Sequence, residues 1–188
     1  MSDLAPKLAS TALRHGVRAI PDRDVVAEVN REHEALCRDI ATCLSAARSD
    51  GGAREAALAH LIDALELHMR VEEDVLYPAL ASESSMRDAL EVAQVEHRLM
   101  RQLVRDLRAD DIGALQCRAT LEVLQKLVRH HVEEEAYALM PRLRQSTLDL
   151  DALGRAMRER REALLAGGPR RTSSASMRLP APRASRLR

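Results

Sequence analysis

Two stretches of the chain place a histidine and a glutamate, four residues apart, in what is otherwise the apolar stripe of a helix. They are LHMRVEEDVLYPAL (67–80), with His68 and Glu72, and HVEEEAYALMP (131–141), with His131 and Glu135. Two further stretches, EVNREHEAL (28–36) and VAQVEHRLM (92–100), carry one histidine each, His33 and His97. The offsets are 64 residues for His33 to His97 and 63 for His68 to His131, Glu72 to Glu135 and Pro78 to Pro141. Residues i and i+4 lie one above the other on a helix face, so the imidazole and carboxylate of each pair can converge on one point. Together the six residues offer four neutral nitrogen donors and two carboxylates. Such a set can hold two cations, each carboxylate spanning both and each cation taking two histidines, with positions left for water, an oxo bridge or a diatomic ligand. Nitrogen and oxygen ligation without thiolate suits Fe or Mn better than Cu(I), and Zn accepts the same ligands. One histidine in a helix stripe is ordinarily a hydrogen-bonded core residue. A duplication that preserves the polar intruders as well as the stripe is not explained by core packing, and a metal pair would offset the cost of burying the carboxylates.

Five helical patterns position these residues. The first follows IPDRDVV, with Pro21 and Asp22 or Asp24 as start signals and a stripe of Val26, Val29, His33, Ile40 and Leu44 that ends at SDGG (49–52). The second runs over 53–80 with Leu58, Leu61, Leu65, His68, Glu72 and Val75 at steps of three and four. The third starts in SESS (82–85), carries Leu90, Ala93, His97, Met100, Val104 and Leu107, and stops near ADDIG. The fourth runs over 114–144 through Leu121, Leu124, Val128, His131 and Glu135, and STLD (146–149) caps a shorter fifth. Four long helices with short loops imply an all-α, antiparallel up-and-down bundle, with the fifth as an extra C-terminal helix. Counted from the loop centres, the four histidines fall at about one height; the largest mismatch, between His97 and His131, is roughly 6 Å at 1.5 Å per residue. Pro78 and Pro141 are read as marking where the two motif helices end.

The expected organisation is an N-terminal extension (1–21), the bundle (22–144), the C-terminal helix (145–166) and a disordered Arg-rich tail (167–188). The chain has 188 residues, 46% of them apolar, and its aromatic content is two tyrosines, which favours helix over strand. Charges balance at 29 basic and 29 acidic residues, so the whole chain carries no signature for specific nucleic acid or for an anionic membrane. The tail holds six of the arginines and no acid, which leaves 23 basic against 29 acidic residues in the body. Three cysteines, an odd number without C-x-x-C spacing, suit a reducing cytoplasm. No apolar run approaches the roughly 20 residues of a membrane helix.

The arrangement of His33, His68-x-x-x-Glu72, His97 and His131-x-x-x-Glu135, with prolines after both motifs, resembles the hemerythrin family and, within it, the HHE cation-binding domains. The resemblance covers about residues 22–144. It implies a four-helix bundle with a carboxylate- and oxo-bridged non-haem di-iron centre, His33, His68, His97 and His131 as nitrogen ligands and Glu72 and Glu135 as bridges. Mn and Zn are the alternatives to iron. The pattern departs from that of the oxygen carriers at two positions: Arg101 replaces a second third-helix histidine, and Ala136 stands where they have an Asp. Those departures argue against reversible oxygen storage. The expected role is the handling of oxygen, peroxide or nitric oxide in stress or detoxification; the alternative is a non-enzymatic iron or oxygen sensor or store acting through a protein partner or a second copy.

The remaining polar residues have plainer readings. His60 is expected to be partly exposed, with a supporting role beside a ligand as the alternative, and His130 is turned about 100° from His131 toward the surface. Glu73, Asp74, Glu133 and Glu134 read as solvated faces, one of which could orient a ligating imidazole. Cys37, one turn after His33, reads as core filler, and Tyr77 and Tyr137 read as packing residues, with a hydrogen bond near the site as the alternative for either.

Overall fold

The structure is a computed structural model that describes residues 24–46, 51–109 and 112–167. The expected N-terminal extension, and the expected tail beyond Gly167, lie outside the described residues. Helix α1 (Val25–Ala46) starts on Asp24, whose Oδ1 accepts the Ala27 N–H at 2.8 Å and supplies a partner to a helix-start donor. Helix α2 (Gly51–Val71) runs through a π-helical turn (Glu72–Leu76) into α3 (Tyr77–Ala81). A 3-10 turn (Ser84–Met86) leads into α4 (Arg87–Leu107). Helix α5 (Ala114–Glu134) repeats the earlier pattern, with a π-turn (Glu135–Leu139) and then α6 (Met140–Gln145). Helix α7 (Leu150–Gly167) is capped by Asp149, which accepts the Ala152 N–H at 2.9 Å. The described residues contain no strand, and no helix among them is long and apolar enough to cross a membrane.

The prolines do not stop the motif helices. Pro78 and Pro141 lack an N–H, and their rings exclude the carbonyl four residues back. The chain widens by one residue just ahead of each: the Tyr77 N–H donates to the Glu72 carbonyl and the Met140 N–H to the Glu135 carbonyl, both five residues back. Each proline then sits in the first turn of the next α segment, where no N–H is needed.

Cross-helix pairs fix the directions. Asp39 meets His60 at 3.4 Å and Glu32 meets His68 at 3.3 Å, so numbering rises on α2 as it falls on α1. Glu66 meets Arg108 at 2.5 Å and His97 meets Glu73 at 3.1 Å, which sets α4 antiparallel to the helix that begins as α2. The core has two apolar halves. One holds Val29, Val71, Leu76, Leu80, Ala93, Leu139 and Leu143, together with Met157 of α7. The other holds Leu36, Ile40, Leu65, Met69, Met100, Leu124 and Val128. Along each helix the candidate histidines fall between the two: His33 between Val29 and Leu36, His97 between Ala93 and Met100. A polar layer thus divides the bundle at mid-height. Met157 is fully buried, and Leu150, Leu153 and Leu164 pack against the same apolar half; at about 1.5–3 kcal/mol per fully buried side chain, α7 is part of the fold.

Candidate metal centre

The polar layer contains all six sequence candidates, each at most 3% exposed: His33, His68, Glu72, His97, His131 and Glu135. Ligand atoms of His33, His68, Glu72 and His131 lie within 4.8 Å of one another. His97 and Glu135 join that group directly: His97 Nε2 is 3.3 Å from Glu72 Oε2, and Glu135 Oε2 is 3.5 Å from His33 Nε2. The closest imidazole pairs are His33 with His68, at 5.1 Å between ring centres, and His97 with His131, at 4.8 Å. Each helical hairpin therefore supplies one pair of nitrogens, and the two glutamates lie between the pairs.

Several atoms in this layer lack a hydrogen bond. His33 Nε2, His68 Nε2, His131 Nε2, Glu72 Oε1 and Glu135 Oε2 are buried without a hydrogen bond. A buried polar atom left without a partner costs about 1–3 kcal/mol, and native proteins rarely keep several together. The unsatisfied atoms are the ones a bridged cation pair would use, so the donor set fits such a group.

A family model described as Hemerythrin HHE cation binding domain matches residues 24–143. The chain belongs to this family. A solved hemerythrin HHE cation-binding domain-containing protein from Mycobacterium kansasii is similar in fold, with a TM-score of 0.57 at 22% identity over 74% of this chain and 88% of that one. No curated protein matches the chain.

A second layer of carboxylates orients the HHE-domain histidines. Glu32 lies 3.3 Å from His68 Nδ1, Glu73 lies 3.1 Å from His97 Nδ1, and Glu96 lies 3.0 Å from His131 Nδ1. A partner on Nδ1 fixes the ring and turns Nε2 toward the centre. Each of these carboxylates has its own support: Arg161 on Glu32, Arg101 on Glu73 and His130 on Glu96. The internal repeat explains most of this pattern. Glu32 and Glu96 are repeat mates, but the mate of Glu73 is Ala136, and among the described residues His33 has no carboxylate on Nδ1. His33 instead borders a cavity of about 420 Å³ lined also by Asn30, Cys37 and Val132.

Burial and mutual charge set the protonation of the HHE centre. Burial pushes His33 and His68 down to about 3, with the neighbouring imidazoles adding to the effect on both, so both are neutral donors at neutral pH. His97 moves the other way: burial works to lower it, but hydrogen bonds to Glu72 and Glu73 outweigh that and raise it to about 9. Burial also works to raise Glu72, yet His68, His97 and His131 hold its carboxyl well below the ordinary range. Burial and the charge of Glu72 push Glu135 up to about 8. Protons thus sit where cations would neutralise the same carboxylates.

Tyr77 belongs to the centre as well. Its hydroxyl lies 3.2 Å from Glu72 Oε2, 3.0 Å from Glu135 Oε1 and 3.1 Å from His97 Nε2. For Tyr77 the hydrogen bond near the site, the alternative to packing, is the one that holds; sequence reasoning misses Glu32 and Glu96, although a Glu-His pair at both lone histidines carries that signal. Glu73 is the acid among the supposed solvated faces that orients an imidazole. Cys37 corrects the expectation of a core filler, because its side chain is exposed. Tyr137 is 90% exposed and His60 is exposed beside Asp39, so neither reaches the centre. His130 is on the surface but touches Glu96 at 2.6 Å.

Proposed function

We propose that this HHE domain holds a di-iron centre and uses it to handle oxygen, peroxide or nitric oxide. The observation that carries the reading is the convergence, between two helical hairpins, of five buried nitrogen and oxygen atoms without a hydrogen bond. His33 and His68 would hold one iron, His97 and His131 the other, with Glu72 and Glu135 spanning both. Bound iron would supply Lewis acidity and a redox couple for small oxygen or nitrogen oxides. The chain's own residues define what such a ligand meets. The apolar halves of the core keep bulk water from both ends of the layer, Tyr77 holds a proton against both carboxylates, and the cavity beside His33 leaves room for a small molecule. The three thiols are free, as a cytoplasmic setting allows.

Elemental analysis of protein purified without added metal tests the proposal. The expected result is about two irons per chain, as the pairing of histidines requires. Stoichiometric zinc without iron, or no metal together with unchanged folding, would overturn it. Gas release from peroxide by iron-loaded protein, compared with a Glu72→Ala and Glu135→Ala double variant, distinguishes turnover from sensing or storage. Peroxide loss that the double variant abolishes supports turnover, and loss that it leaves unchanged supports the binding role.

A further inference from the structure

Helix α7 lies beyond the residues matched by the family model, yet it reaches the edge of the centre. Two of its arginines make outer contacts, Arg158 with Glu28 at 3.3 Å and Arg160 with Asp74 at 2.7 Å. Arg161 goes deeper. Its side chain is 28% exposed and pairs through Nη2 with Glu32 Oε1, while the other oxygen of the same carboxylate faces His68 Nδ1 at 3.3 Å. Glu32 is 9% exposed, and a polar side chain that buried needs a partner to hold it in place. A cavity of about 220 Å³, lined by Glu28, Arg31, Glu32, Ala64, His68 and Arg161, lies over this contact, so unsupported side chains there have room to turn away.

We infer that Arg161 is a positioning residue for the centre: it holds Glu32 on His68 Nδ1, which keeps His68 Nε2 aimed inward, and so makes the seating of α7 a condition of metal retention in this chain. Arg161 does for His68 what Arg101 does for His97, but from a segment outside the four-helix unit. The inference rests on the proposed role of His68 as a ligand, and the two fail in different ways.

The experiment uses the full chain with Arg161→Ala, Arg161→Lys, Glu32→Gln and, as a control for docking alone, Arg160→Ala. Side-chain nitrogen NMR of the metal-free protein reads the His68 tautomer, and competition with a chelator reads iron loss. Arg161→Ala should redistribute the His68 tautomers and speed iron loss about 10–100-fold, the usual effect of removing a partner of a ligating histidine. Arg161→Lys should recover part of both effects, and Arg160→Ala should match the wild type. The double variant Arg161→Ala with Glu32→Gln should lose iron no faster than Glu32→Gln alone. Unchanged His68 signals in Arg161→Ala, an equal effect from Arg160→Ala, or additive losses in the double variant would overturn the inference. If Arg161→Ala does not fold, the Arg161→Lys and Glu32→Gln variants decide it by the same two readouts. A wild-type chain that binds no iron sinks the di-iron proposal, while the His68 tautomers still test the role of Arg161.

Discussion

The Tyr77 hydroxyl lies 3.0 Å from Glu135 Oε1, a contact made across the bundle between residues 58 apart in the chain. The same hydroxyl is 3.2 Å from Glu72, so one phenol serves both carboxylates. Burial and those two carboxylates raise the phenol well above its ordinary value, which keeps the proton on oxygen. Tyr77→Phe retains the ring and removes that donor. Metal-free Tyr77→Phe should be less stable than wild type by about 1–3 kcal/mol, the cost of leaving buried acceptors unsatisfied. The iron-loaded variant should lose less, because the cations would take over both carboxylates. Denaturant titrations of the two forms check this, and equal losses in both would show that the phenol does not stand in for metal.

His131, Glu96 and His130 form a chain from the centre to the surface, with steps of 3.0 Å and 2.6 Å. Their substitutions should have graded effects. His131→Ala, like His68→Ala, should abolish stoichiometric iron. Glu96→Gln should keep iron but weaken its retention by about 10–100-fold. His130→Ala should change retention little, since His130 is largely exposed and Glu96 keeps its contact with His131. Iron content and chelator competition measure the series, and equal loss in all three would mean that the layers do not act in this order.

Metal binding should release protons at neutral pH. Without metal, Glu135 titrates at about 8 and His97 at about 9, so both hold protons at pH 7 that a bound cation would displace. His33 and His68, pushed down to about 3, have none to give at that pH. The metal-free state therefore binds more protons than the loaded one, and affinity must rise with pH through the neutral range and fall on acidification. Calorimetric titration with Fe(II) under anaerobic conditions, in two buffers of different ionisation enthalpy, gives the proton count. No net release at pH 7 would contradict the assignment of Glu135 and His97 as ligands.

Much of this arrangement was legible in the chain because the repeat keeps His33, His68, Glu72 and their mates in stripes that otherwise bury Leu, Val and Ile. The parts that were not legible have a common cause, which is rotation about the helix axis. At about 100° per residue, a regular helix sets Tyr77 roughly 140° from Glu72, so its contact with both carboxylates does not follow from the spacing. The π-turn ahead of Pro78 adds a residue to the ring and places Tyr77 over Glu72 instead, with its N–H on the Glu72 carbonyl. Cys37 misled in the opposite direction, since the inward stripe of α1 runs through His33, Leu36, Ile40 and Cys43 and leaves Cys37 on the outer flank. Glu32 and Glu96 lie about 100° from the histidines that follow them, off the inner face. They act on histidines of neighbouring helices, a relationship that the spacing within one helix does not contain.

The symmetry of the repeat breaks at Ala136. Glu73 and Ala136 occupy the second residue of the two π-turns, yet Glu73 holds His97 Nδ1 and its mate leaves His33 Nδ1 without a carboxylate among the described residues. Ala136 is exposed, so a longer side chain has space there without disturbing the core. Ala136→Glu should give His33 the partner that His97 already has, fix its ring and slow iron loss to a chelator by about 10-fold, the lower end of the usual effect of such partners. The reciprocal Glu73→Ala should speed iron loss by a similar factor and free Arg101 from its 2.5 Å contact. Combining the two should exchange the histidines' roles, with His33 supported and His97 bare, and bring retention back toward that of the wild type. Faster iron loss from Ala136→Glu would show that His33 needs its freedom on the cavity side more than it needs a carboxylate.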